Sequence, residues 1–203
     1  MGCRLLHIAV LFLMLWAGCL QASWAAMQQT SDSVPYDREV DYFYLQALSL
    51  VEEEKFDAAF DMLEHCRALK PASSAVLLEL VNMYQYLGHK NTALSILKKL
   101  VHENPDNYHF WFSLVQYFDK ENNRDAALKV YEEMAVTFPT KSEVFLSLSA
   151  RYAEMAKYAE AIAALERYEQ IEGRDEFVSM QKYRMYVILQ QRDKAFAELT
   201  VKS

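Results

Sequence analysis

Apolar residues along this chain fall into short stripes with helical spacing, and the stripes themselves repeat every 34 residues. Frames opening at Val40, Ser74, Tyr108, Ser142 and Glu176 bring like residues to like places. Place four holds Phe43, Leu77, Trp111 and Phe145, then fails at Ser179. Place eleven holds Leu50, Tyr84, Phe118, Tyr152 and Tyr186. Place twenty is alanine every time, at Ala59, Ala93, Ala127, Ala161 and Ala195, and place twenty-four holds Leu63, Leu97, Tyr131, Leu165 and Leu199. Apolar residues at places four, seven, eight and eleven make one face of a 3.6-residue helix, so each frame predicts a first helix. A break follows, with Gly88 and Asn122 suited to left-handed backbone, and a second helix then carries the alanine. The alanine is expected where the two helices cross, because a larger side chain there would force them apart. Asp57, Asn91, Asp125 and Asp193, at place eighteen, are expected to cap the second helices. Pro71, Pro105 and Pro139 stop them, since proline cannot continue a helix and biases its predecessor away from helical angles. After Pro105, Asp106 or Asn107 is placed to cap the next helix, and Trp111 is expected in the core between hairpins.

Trp111, Leu114, Phe118, Ala127, Tyr131 and Pro139, with Leu80, Tyr84, Ala93 and Pro105 one frame earlier, resemble the tetratricopeptide repeat. The resemblance covers residues 40 to about 200. It implies an all-α fold, a right-handed α–α superhelix (solenoid) of antiparallel helix hairpins, in units 40–73, 74–107, 108–141, 142–175 and a partial 176–203. It implies a fold more than a function. Ser179 and Lys182 stand at places four and seven of the last unit, so its first helix is expected to pack in a shifted phase. Repeat arrays need a polar-faced terminal helix, and none is evident here. The expectation is that the chain is the N-terminal part of a longer array, or that its last hairpin docks on something, including a second copy.

Ahead of the repeats, residues 1–25 read as a signal peptide: Arg4, an apolar run from Leu5 to Trp16, then small residues. Ser23-Trp24-Ala25 suits cleavage after Ala25, leaving residues 26–39 as a polar linker. The alternative is lipidation of Cys19, since Ala17-Gly18-Cys19 resembles the end of a bacterial lipobox, although Trp16 departs from it. Export to the periplasm is expected, with a membrane-anchored lipoprotein as the alternative. Composition supports a folded, mainly helical protein: 53% of residues are hydrophobic and Gly and Pro number four each. The formal charge of −7 becomes −8 without Arg4, which argues against a nucleic-acid partner. With Cys3 and Cys19 in the signal, Cys66 alone remains and no internal disulfide is expected.

Catalytic and metal motifs do not emerge. His65, His89, His102 and His109 include no i, i+4 pair, and Cys66 falls at a packed place. No Gly-rich phosphate loop or nucleophile elbow occurs, so neither an enzyme nor a cofactor is expected. Acidic "EEEK" at 52–55 reads as exposed turn charge. The resemblance implies an inner groove lined by first-helix places two, five, six, nine, twelve and thirteen. These give Tyr44, Leu48, Asn82 and Tyr86, then His109, Phe112, Gln116 and Arg184 as candidate protein-binding residues. Asn82 and Gln116 offer amides to an extended main chain, and the aromatics offer stacking. Tyr44 and Leu48 replace the Lys and Asn of a carboxylate clamp, so that role is not expected. The reading is a non-enzymatic scaffold or adaptor of the cell envelope that binds a protein or peptide. Alternatives are a repeat arm of a larger envelope protein or enzyme, and an RNA-binding helical repeat, which the acidic charge disfavours.

Overall fold

The computed structural model describes residues 37–200, and the expectations for the signal peptide, Cys19 and most of the linker fall outside them. Ten helices occupy the described residues: α1 (37–52), α2 (Phe56–Leu69), α3 (Ser74–Tyr86), α4 (Lys90–Glu103), α5 (Tyr108–Lys120), α6 (Arg124–Thr137), α7 (Ser142–Glu154), α8 (Tyr158–Glu172), α9 (Glu176–Ile188) and α10 (Arg192–Leu199). The first helices α3, α5, α7 and α9 begin at the frame starts, each 34 residues after the last. The fold is all-α, built of sequential hairpins. It divides into two compact units, one ending at Gly88 and one beginning at His89.

In the first unit α2 packs on α3, around Val40, Ala47, Ala59, Leu63, Cys66, Val76 and Leu80. Each fully buried leucine contributes about 2 kcal/mol through the surface it removes from water. Ala59 is wholly buried at its place twenty. The Cys66 thiol is also buried and donates to the Val40 carbonyl at 3.6 Å, so it ties α2 to α1.

The second unit is a run of hairpins, α5–α6, α7–α8 and α9–α10, joined by α4 on α5, α6 on α7 and α8 on α9. Ala93, Ala127 and Ala161 have no exposure and Ala195 has 2%. Trp111 is buried, and its indole Nε1 donates to the Pro105 carbonyl at 2.8 Å. That bond explains the proline followed by aromatics: Pro105 ends α4 and its carbonyl, unused by any helix, anchors the first turn of α5. Asn107 caps α5 by accepting from the His109 backbone N–H at 3.1 Å.

Two expectations need correction. Asp57, Asp125 and Asp193 do not cap; each lies inside the first turn of its helix. There the carboxylate faces the positive end of the helix dipole, a weaker but similar stabilisation. Asn91 likewise follows the first residue of α4, and the N-cap of α6 is Asn123, which accepts from Ala126 N–H. The second correction concerns the last unit. Ser179 and Lys182 are buried at places four and seven, 7% and 3% exposed, so α9 keeps the phase of its predecessors. Polarity did not move the helix because Lys182 finds carboxylates inside: Nζ lies 2.9 Å from Glu169 Oε2 and 2.8 Å from Glu198 Oε1. Leu199 at place twenty-four is half exposed, whereas Leu63, Leu97, Tyr131 and Leu165 are buried.

Candidate functional site

In the first unit Tyr44 and Leu48 are half-buried on α1, and Asn82 and Tyr86 are exposed on α3. Burial raises the Tyr44 hydroxyl pKa, with the Glu79 carboxylate adding to it, so Tyr44 stays neutral and can donate. Asn82 Nδ2 donates to Glu79 Oε2 at 3.4 Å, which orients the amide along α3. Tyr86 is held by its ring, 4.4 Å from that of Phe56.

In the second unit His109, Phe112 and Gln116 are all exposed. Their i, i+3, i+7 spacing lines them up on one face of α5. The opposite face, with Trp111, Leu114 and Val115, is buried. Phe112 retains 39% exposure and lies parallel to Tyr108, with 6.3 Å between centroids and 12° between planes. Lys141 Nζ sits 5.2 Å from the centre of the Tyr108 ring, a cation–π contact that fixes the base of this face. The face thus offers an amide, an imidazole and an aromatic surface. Such groups suit hydrogen bonding and stacking against a polypeptide segment.

Arg184 is exposed on α9, apart from the α5 stripe. It stands among apolar neighbours that sequence reasoning left out: Phe177, Met180, Val187 and Ile188, between 37% and 63% exposed. They occupy places two, five, twelve and thirteen, all among the groove places that the resemblance implies. The four histidines at 65, 89, 102 and 109 are all exposed. Among the described residues no group of three or more His, Cys, Asp or Glu is placed to hold a metal ion, and no helix is long and apolar enough to cross a membrane.

Hairpins repeating every 34 residues, with a buried alanine in each second helix, give the chain an all-α fold like that of tetratricopeptide-repeat proteins. Comparison agrees: residues 50–116 match the model described as tetratricopeptide repeat. The chain is similar to Cellulose synthase operon protein C of Pseudomonas fluorescens (strain SBW25), 28% identical over 132 residues, which is 65% of this chain and 10% of that protein. It is also similar to Anaphase-promoting complex subunit 3 of Schizosaccharomyces pombe, 23% identical over 145 residues, covering 67% of this chain and 22% of that one. The match therefore spans between a tenth and about a fifth of those relatives' lengths. Among solved structures, a crystal structure of MamA protein superposes with a TM-score of 0.58 at 18% identity, over 80% of this chain and 89% of MamA. MamA (41-end) from Desulfovibrio magneticus RS-1 gives 0.55 at 14%, over 80% and 92%. These likenesses establish the fold.

Proposed function

We propose that this protein is a non-enzymatic scaffold or adaptor of the cell envelope that holds a polypeptide segment against the first-helix faces of its repeats. The observation that carries this reading is the α5 face, where His109, Phe112 and Gln116 stand in one exposed row over a buried backing. A rigid helix presenting polar and aromatic groups is a low-cost binding surface, because little side-chain order is lost on contact. Net charge of −7 favours a protein partner over nucleic acid. A photo-crosslinker placed in turn at 112, 116 and 136 tests it. The same polypeptide is expected on 112 and 116 and not on 136, where Val136 is 82% exposed on α6. Equal capture at all three, or none at 112 and 116, refutes the groove.

The envelope assignment rests on the sequence of residues 1–25. Intact mass of protein made in its own host is expected to show loss of residues 1–25, or a lipid on Cys19 as the alternative anchor. An unprocessed Met1 terminus refutes export. A second reading, a repeat arm of a larger protein, is favoured by the small fraction of each curated relative that the match spans, 10% and 22%. Immunoblots of the native protein distinguish the two by size.

A further inference from the structure

One pair of side chains fastens several junctions between successive hairpins. Tyrosine at place eleven donates its hydroxyl to glutamate at place twenty-five of the preceding second helix. Tyr84 reaches Glu64 Oε1 at 2.7 Å, Tyr152 reaches Glu132 Oε1 at 2.8 Å, and Tyr186 reaches Glu166 Oε1 at 3.5 Å. Where α4 meets α5 both members are replaced, by Phe118 and Lys98. Phenylalanine keeps the packing of the ring but has no hydroxyl, and lysine has no oxygen to accept one. The tyrosine–glutamate strap is missing at this junction.

A cleft of about 670 Å³ opens at that junction, between α4, α5 and α6. Trp111, Leu114 and Phe118 line it from α5, with Val101 and Val130 on either side. Lys98, His102 and Lys129 line its rim against one carboxylate, Glu133. All three are exposed, and neither lysine forms an ion pair among the described residues. In a chain of net charge −7, an apolar cleft with a cationic rim stands out from its surroundings. It lies on the face of α5 opposite His109, Phe112 and Gln116.

We infer that this cleft is a second docking site, for an acidic segment of a partner polypeptide that carries a large apolar side chain between carboxylates. The apolar side chain would lie against Phe118 and Pro105, over the buried Trp111 and Leu114. Its flanking carboxylates would meet Lys98 and Lys129 and replace the acceptor that glutamate supplies at the strapped junctions. Charge complementarity at a partly apolar site fixes the choice of partner as much as its strength. The site is independent of the α5 groove, and either stands if the other fails.

Fluorescence anisotropy with the full chain tests it, using labelled peptides EDLFEE, KKLFKK and EDAAEE. Binding of EDLFEE is expected to exceed that of the other two by at least about tenfold. The double variant Lys98→Glu with Phe118→Tyr rebuilds the strap seen at the other junctions. It is expected to keep the native circular dichroism and melting temperature while losing at least about tenfold in EDLFEE affinity. Unchanged affinity in that variant, or equal binding of EDLFEE and KKLFKK, overturns the proposal. Should the double variant not fold, Lys129→Glu on the exposed rim serves instead: a loss of at least about threefold supports the site and no loss overturns it. A uridine decamer binding as tightly as EDLFEE would show a plain cation patch and also overturn it.

Discussion

At the scale of single residues, place fifteen shows how the backbone governs the turn inside each hairpin. Glu54, Gly88, Asn122, Ala156 and Gln190 all have positive φ, between 53° and 80°. Each N–H bonds back to place twelve: Glu54 to Val51, Gly88 to Gln85, Asn122 to Asp119, Ala156 to Ala153 and Gln190 to Val187. At four turns the following N–H reaches place eleven as well, as in Lys157 to Tyr152 at 2.9 Å. This is the Schellman ending of a helix, and its left-handed residue suits glycine. Sequence reading found Gly88 and Asn122 by their chemistry but not Glu54, Ala156 or Gln190, whose side chains disfavour the conformation that hairpin closure imposes. Ala156→Gly is therefore expected to raise stability by about 0.5–1 kcal/mol in chemical denaturation. Gly88→Ala is expected to lower it by about 1 kcal/mol, even though a Cβ there would meet nothing within 4 Å. An unchanged midpoint for both would show that the turn relaxes. Cys66 gives a second residue-scale test. Burial raises its thiol pKa and removes it from solvent, so maleimide should label it only after denaturant is added.

At the scale of elements, Lys182 decides how α9 is held between α8 and α10. Its ammonium bridges Glu169 and Glu198, and Arg174 Nη2 joins Glu198 Oε2 at 3.0 Å, with Arg174 Nε 3.6 Å from Glu169 Oε1. Lys182, Glu169 and Glu198 are nearly excluded from water, with side chains 3%, 10% and 6% exposed. Removing one buried partner strands the others, so Lys182→Met is expected to cost about 3–5 kcal/mol. Replacing the three together, as Lys182→Leu, Glu169→Val and Glu198→Val, is expected to be near neutral or stabilising, which separates stranded charge from lost packing. Burial pulls the Lys182 pKa down, but hydrogen bonds to Glu198 and Glu169 outweigh it and the net shift is upward. A pKa raised by folding gives stability that is complete below the unfolded value, near 10.4, and lost as pH rises through the folded one. Tyr152, pushed up to about 12 by burial and by its bond to Glu132, loses its contribution in the same direction above pH about 10. Stability measured from pH 7 upward is thus expected to fall steeply only beyond about pH 10, and less steeply in the Lys182→Met and Tyr152→Phe variants. This ion-pair network was hidden from sequence reading because Lys182, Glu169 and Glu198 come from three helices. A lone polar residue at a core place looks like a change of phase until its partners are known.

At the scale of the whole molecule, periodicity made the fold legible because a hairpin repeat is local. The principal helix contacts of the second unit all join neighbours in sequence. Position within a frame therefore translates directly into burial, as it does for Ala93, Ala127 and Ala161. Sites are less legible, since a surface depends on what is missing between helices. The cleft beside Trp111 is lined by Phe118 and Lys98, 20 residues apart, which both depart from a pairing visible only across several junctions. Locality also dictates how damage should spread. Stability in such a chain is close to a sum of hairpin terms and nearest-neighbour interfaces. Overpacking a helix crossing costs about 1–3 kcal/mol wherever it is placed, but the two ends of the sum differ. Ala195→Leu strikes α10, which packs on α9 alone among the principal contacts, whereas Ala127→Leu strikes α6, which packs on both α5 and α7. Hydrogen exchange read by mass spectrometry is expected to accelerate in α9 and α10 for the first variant, leaving α5 and α6 at native rates. For the second it should accelerate across α5, α6 and α7 together. Uniform acceleration throughout the unit in both cases would mean that it opens as one cooperative block, and the additive account of its stability would be wrong.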